Sequence, residues 1–268
     1  MGGSFIRLGD YDFDEFEFSY QDKPRRVFRR GSGPGIVIMH EIPGITPEVA
    51  RFAGLVAAEG FTVFMPVMFG TPGKPKSNLY ILTEVARACV SREFNTLAKR
   101  ESSPITEWLR ALCRYVNEQC PGRGVGAIGM CLTGGFALSL MVDEVVMAPV
   151  LSQPSLPLFG PGHGRALGIS DSELQIARKR AQGGVSVLGL RFSGDQKCPR
   201  ERFETLKREL GSGGFEAIEI DSSKGNPDNI REDAHSVLTT ELVFKDGHPT
   251  KKALDRVLGF FKERLLAP

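Results

Sequence analysis

The sequence predicts an α/β fold, a mostly parallel central sheet with helices on both faces. Two observations carry this. Short, continuous apolar runs, as needed by parallel strands covered on both sides, alternate with helix-length amphipathic stretches. Groups able to do chemistry sit just behind several of those runs, where open parallel sheets place their functional loops. The chain has 268 residues and no repeat, low-complexity tract or convincing linker, so one domain over 1–268 is expected.

Taken in order, residues 10–30 alternate Phe13, Phe16 and Phe18 with acids, then continue through Arg25, Val27 and Phe28. That pattern predicts one or two antiparallel strands at a sheet edge within an N-terminal segment 1–30. A Gly-Ser-Gly-Pro-Gly turn leads to the buried strand 36–39, the loop 40–45, and a helix begun by Thr46 or Pro47 and ended by Gly60. Residues 61–66 form the next strand. In 69–104, a Gly/Pro loop precedes a helical stretch over 79–100, read either as a cap-like insertion over the site or as a plain surface helix. Further on, a helix over 105–119 precedes an apolar run that ends in Gly-Met-Cys-Leu-Thr-Gly-Gly at 129–135. Strands follow at 145–150, 185–192 and 215–220, and helices at 171–182, capped by Ser170, and at 200–210. The last stretch, 249–266, is a helix with Leu254, Val257, Leu258, Phe261 and Leu265 as its buried stripe.

Bulk composition excludes several function classes. The net charge of +2 gives no electrostatic case for nucleic-acid or membrane-surface binding. The five cysteines are odd in number and lack metal-ligand spacing, so neither a disulfide framework nor a zinc site is expected, and a reducing, cytoplasmic setting is. The acidic N-terminus does not read as a secretory leader, and no apolar run reaches membrane-spanning length.

Residues 124–135 form a strand, a sharp turn with Cys131 at its tip, and the start of a helix, the layout of a nucleophile elbow. Taken alone, the same pattern suits a buried cysteine in an ordinary βα turn. A thiol nucleophile needs a base, and the base needs an acceptor that fixes its tautomer. Cys131, Asp195 and His235 stand at strand exits in the order nucleophile, acid, base, the chain order of α/β-hydrolases. The rivals fit less well. His40 reads as a loop-shaping residue, His163 as a pocket-rim residue, and His248 as a helix-start residue, while Asp221 is the best competitor of Asp195. Cys89, Cys113 and Cys120 read as core or surface thiols, and Cys198 as a neighbour of the pocket.

Three stretches now resemble the dienelactone hydrolase family of α/β-hydrolases: His-Glu-Ile-Pro-Gly at 40–44, the cysteine elbow at 129–135, and the loops holding Gly194, Asp195 and His235. The resemblance covers about residues 25–265. It implies a cofactor-independent cysteine hydrolase for an ester or lactone. It further implies that Glu41 contacts the resting thiol and helps generate the thiolate, and that the backbone N–H groups of Ile42 and Leu132 form the oxyanion hole. That role for Leu132 also suits the elbow, since it follows the nucleophile. Family members acting on dienelactone hold the substrate carboxylate with arginines, one of them four residues after the histidine, where this chain has Thr239. Arg87 and Arg92 are either partners for such a carboxylate or plain solvated arginines, and Ser236 stands where the family often has Gly.

The sequence thus predicts a dienelactone hydrolase-like enzyme acting on a small-molecule ester or lactone through Cys131, His235 and Asp195. No cofactor, metal, nucleic acid or membrane partner is expected, and a monomer or weak homo-oligomer is. The alternatives are a carboxylesterase or thioesterase using the same three residues, and a non-catalytic ligand-binding protein of the same fold.

Overall fold

Residues Gly35–Met39 are all buried and form β4, the strand around which the sheet is built. Its side chains divide by the period-two rule. Ile36 and Ile38 enter one core, while Val37 and Met39 enter the other. Both faces must therefore be covered. The computed structural model describes residues 4–90, 104–156 and 163–266, and in these the sheet has nine strands in the order β1-β2-β3-β5-β4-β6-β7-β8-β9. They are β1 (Ser4–Leu8), β2 (Tyr11–Tyr20), β3 (Lys23–Gly31), β4, β5 (Thr62–Pro66), β6 (Val125–Met130), β7 (Val146–Ser152), β8 (Val187–Phe192) and β9 (Phe215–Ile220). From β5 across to β9 every pairing is parallel. The first three strands form an antiparallel meander that joins the parallel part through β3 and β5.

Helices α1 (Pro47–Ala58) and α7 (Pro249–Leu265) supply the core on one face, through Phe52, Val56, Val257 and Phe261. Helices α3 (Pro104–Gln119), α4 (Gly134–Leu140), α5 (Asp171–Gln182) and α6 (Arg200–Leu210) cover the other, through Trp108, Leu112, Phe136, Ala177 and Phe203. Fully burying each large apolar side chain contributes about 1.5–3 kcal/mol, so removing one leaves a cavity on a face that has no solvent side to relax into. The caps follow local rules. Thr46 precedes α1 with Pro47 at its first position, and Ser170 with Glu173 forms a reciprocal capping box on α5.

Two details depart from the sequence reading. A third antiparallel strand, β1, precedes the expected pair. The alternation in β2 places Phe13 in one core and packs Phe16 and Phe18 against the other, so this strand, second from the edge, serves both faces. The helical stretch expected over 79–100 appears as α2 (Asn78–Val90), and the expectation for 91–100 lies outside the described residues. No helix among the described residues is long and apolar enough to cross a membrane.

Candidate active site

Strand β6 ends at Met130 in extended backbone, and Cys131 then takes φ = 55°, the left-handed region. A non-glycine residue there stores about 1–3 kcal/mol of strain, so its surroundings must hold it. Thr133 does so. Its hydroxyl donates to Met39 O at 2.8 Å and accepts from Met130 N–H at 2.9 Å, tying the elbow to the end of β4. A Cβ on Gly129 would stand 2.1 Å from Thr133 O, and one on Gly134 2.5 Å from Pro154 Cα. Both positions therefore require glycine, for close approach rather than for turn conformation. After one 3-10 turn, Cys131–Thr133, helix α4 begins.

Asp195 leaves β8 and His235 lies in the long stretch after β9. Their side chains meet: His235 Nδ1–H donates to Asp195 Oδ2 at 2.6 Å, and Lys197 N–H donates to Oδ1 at 3.0 Å. Asp195 is 3% exposed. The other ring nitrogen, Nε2, is buried without a well-formed hydrogen bond. Burial opposes a charge on this ring, yet the charge on Cys131 and the bond to Asp195 outweigh it and push the pKa up to about 10. Burial likewise opposes a thiolate at Cys131, and Glu41 does so more weakly. The imidazolium and a hydrogen bond with Ser155 prevail, so the thiol is held below its ordinary value. Thiol and imidazole titrate as a pair that favours thiolate and imidazolium.

Glu41 is 1% exposed, and its carboxylate is held by side chains from several segments. Oε1 accepts from Lys76 Nζ and Thr239 Oγ1, each at 2.6 Å. Oε2 accepts from Ser236 Oγ at 2.7 Å and Gln153 Nε2 at 3.3 Å. Burial alone would raise its pKa, but Lys76 and the hydroxyl donors hold it below the usual carboxylate range, so the group is charged. The Ser155 hydroxyl lies 3.3 Å from the thiol sulfur.

Cys131 and His235 open into a cavity of about 320 Å³. Ile42 and, from α2, Ile81 and Val85 give it an apolar side. Leu132, directly behind the nucleophile, is buried. The cations at the cavity are Lys76, Lys197 and Arg231. Arg87 is not among its lining residues; it is largely exposed and pairs with Glu84 at 2.6 Å. Arg92 lies outside the described residues. Thr239, at the position of the family's arginine, is committed to Glu41.

The rival residues have other tasks. His40 Nδ1–H donates to Glu41 O at 3.1 Å, and its Nε2 accepts from Met68 N–H at 3.1 Å. His248 caps α7, and His163 opens a short 3-10 turn. Asp221 is exposed and accepts from Ser223 N–H at 2.9 Å. Cys113 and Cys198 are buried thiols. Among the described residues no three His, Cys, Asp or Glu side chains converge as a metal ion would need. Sequence reasoning missed Lys76, Gln153 and Ser155. The first looks like any lysine in a Gly/Pro loop. The other two follow β7, a strand exit that carries no ionisable group and so gave no signal.

The sequence model of the dienelactone hydrolase family matches residues 21–210. A Saccharomyces cerevisiae protein, provisionally named a carboxymethylenebutenolidase, is 26% identical over 145 residues, 54% of this chain. The matched stretch spans half the length of that relative. Among solved structures, a provisionally named dienelactone hydrolase from Klebsiella pneumoniae superposes with a TM-score of 0.65 at 15% identity, covering 97% of this chain and 99% of the other. A cold-adapted esterase from an Arctic intertidal metagenomic library superposes with a TM-score of 0.59 at 12% identity, covering 99% and 100%. At these identities the two superpositions speak for the α/β-hydrolase fold.

Proposed function

The chain belongs to the dienelactone hydrolase family, and on that premise we propose that it is a hydrolase of small carboxylic esters or lactones that works through a covalent thioester on Cys131. One observation carries the reading most. The 2.6 Å Asp195–His235 hydrogen bond leaves a buried Nε2 without a well-formed hydrogen bond, while the ring is electrostatically coupled to a thiol held at an elbow of φ = 55°.

In this reading Asp195 fixes the imidazole tautomer and stabilises the imidazolium. The Cys131 thiolate adds to the ester carbonyl, and the carbonyl electron pair moves onto oxygen, held by the N–H groups of Ile42 and Leu132. The intermediate collapses, the C–O bond of the leaving alcohol breaks, and His235 gives that alkoxide its proton. Water then attacks the thioester with His235 as base, releasing the acid and restoring the thiolate–imidazolium pair. Glu41 acts on the sulfur through its charge, and Lys76, Thr239 and Ser236 determine how much of that charge the sulfur feels. The activity resides in one domain over the chain, in a reducing compartment, on a dissolved small molecule.

Cys131→Ala is expected to lower turnover of p-nitrophenyl acetate by at least about 10³-fold while the melting temperature stays near that of the parent. Undiminished turnover overturns the assignment of the nucleophile. A panel of lactones, aryl esters and acyl thioesters then orders the substrate classes.

A further inference from the structure

On the reading of Cys131 as nucleophile, we propose that Ser155 is a further catalytic residue, whose hydroxyl donates to the Cys131 sulfur and fixes the thiolate in its attacking orientation. Ser155 is 8% exposed, and its Oγ lies 3.3 Å from Sγ. Its backbone N–H also donates to Cys131 O at 2.9 Å, so the same residue grips both the main chain and the side chain of the strained cysteine. A thiolate can only accept, which makes the hydroxyl the donor in the ionised state. The bond is stronger to a charged sulfur than to a neutral thioester. It therefore raises the thiolate fraction before attack and assists departure of the thiolate when water has added to the thioester.

The surrounding chain fixes this contact from several sides. Gln153 takes φ = 35°, and its N–H donates to Leu190 O at 2.7 Å. Its side chain donates to Glu41 at 3.3 Å. Arg202, 2% exposed, donates to Pro154 O at 2.6 Å, to Lys197 O at 3.1 Å and to Ala166 O at 2.8 Å. That buried guanidinium ties the loop of Ser155 to the loop of Asp195, so the donor to the sulfur and the orienter of the base keep one frame. Ser155 is absent from the lining of the cavity that would hold substrate.

Other charges also bear on the sulfur. His235 after β9 and Glu41 after β4 act on it directly. Lys76 before α2 and Lys197 after β8 lie around the cavity, as do Arg231, Asp233 and Glu241 in the stretch after β9. None of these changes in a Ser155 variant, so a change in thiol titration reports the hydroxyl.

The test measures iodoacetamide alkylation of Cys131 against pH, read on its peptide by mass spectrometry, with kcat and KM for p-nitrophenyl acetate. Ser155→Ala is expected to move the alkylation midpoint up by about one pH unit and to lower kcat about tenfold, the value of one hydrogen bond to a charged group. KM stays within about twofold, and Ser155→Thr, which keeps the hydroxyl, regains most of both losses. An alkylation profile of Ser155→Ala that superimposes on the parent overturns the proposal, as does a threonine variant no better than alanine. The hydrolase reading fails separately, by activity surviving Cys131→Ala, because alkylation reads the thiol without needing turnover.

Discussion

Two histidines lie in segments that follow strands, His40 fully buried and His235 largely so, and their charge preferences are opposite. His40 is held down to about 4, chiefly by burial, against weaker opposition from the Glu41 carbonyl and the Glu41 charge. His235 is pushed up to about 10 despite its burial. Burial disfavours charge on both rings, so partners decide between them. His40 lies between an acceptor, Glu41 O, and a donor, Met68 N–H, a pair that only the neutral Nδ1–H tautomer satisfies. His235 lies between a carboxylate and a thiol able to give up its proton. The cysteines repeat the lesson. Burial pushes Cys113 far up and Cys198 up to about 12, whereas Cys131, partly buried, is lowered by its neighbours.

Removing what distinguishes the two rings has the largest expected effect. Asp195→Asn keeps the shape but not the charge, and an amide can hold the imidazole in the wrong tautomer. It is expected to lower kcat by about 10³–10⁴-fold. His40→Gln, which touches no reacting group, should leave kcat within a few-fold. Equal losses in the two variants would show that the rings differ less than their partners suggest. The next test uses the thiols. At pH 7 iodoacetamide should modify Cys131 on the order of 10³ times faster than Cys198 in the folded protein, because only the thiolate reacts. Comparable rates, read by peptide mass spectrometry before unfolding, would contradict the pairing of Cys131 with His235.

The frame of this comparison was legible in the sequence, and its contents only partly so. The apolar run at 36–39 predicts a strand because a parallel strand covered on both faces favours apolar residues at successive positions. The strand–Cys–helix layout and the order of Cys131, Asp195 and His235 are likewise written in residue types. The structure brings Asp195 and His235 to 2.6 Å. The company kept by Glu41 was not legible. Thr239 and Ser236 come from one loop, Lys76 from another and Gln153 from the end of β7, a convergence set by tertiary packing. Ser155 carries no charge and sits beside a proline, so nothing local marks it. Arg87 follows the plainer of its two readings, a solvated arginine: it is largely exposed and pairs with Glu84.

The smallest expected effect separates the histidines by stability rather than activity. Between pH 6.5 and about 4 the unfolded chain binds a proton at His40 that the folded chain refuses. Unfolding then takes up protons, so this contribution is full above 6.5 and is lost as pH falls through the folded value. The loss is at most about 3 kcal/mol. Glutamine at position 40 does not titrate, so His40→Gln should lose less stability than the parent between pH 7 and pH 4.5, whatever it costs at pH 7. The raised value of His235 belongs to the pair it forms with Cys131 and not to the ring alone, so the stability test is confined to His40. Urea midpoints of the parent and His40→Gln at pH 7 and pH 4.5 measure this, and an acid limb as steep in His40→Gln as in the parent would reverse the assignment of the neutral ring.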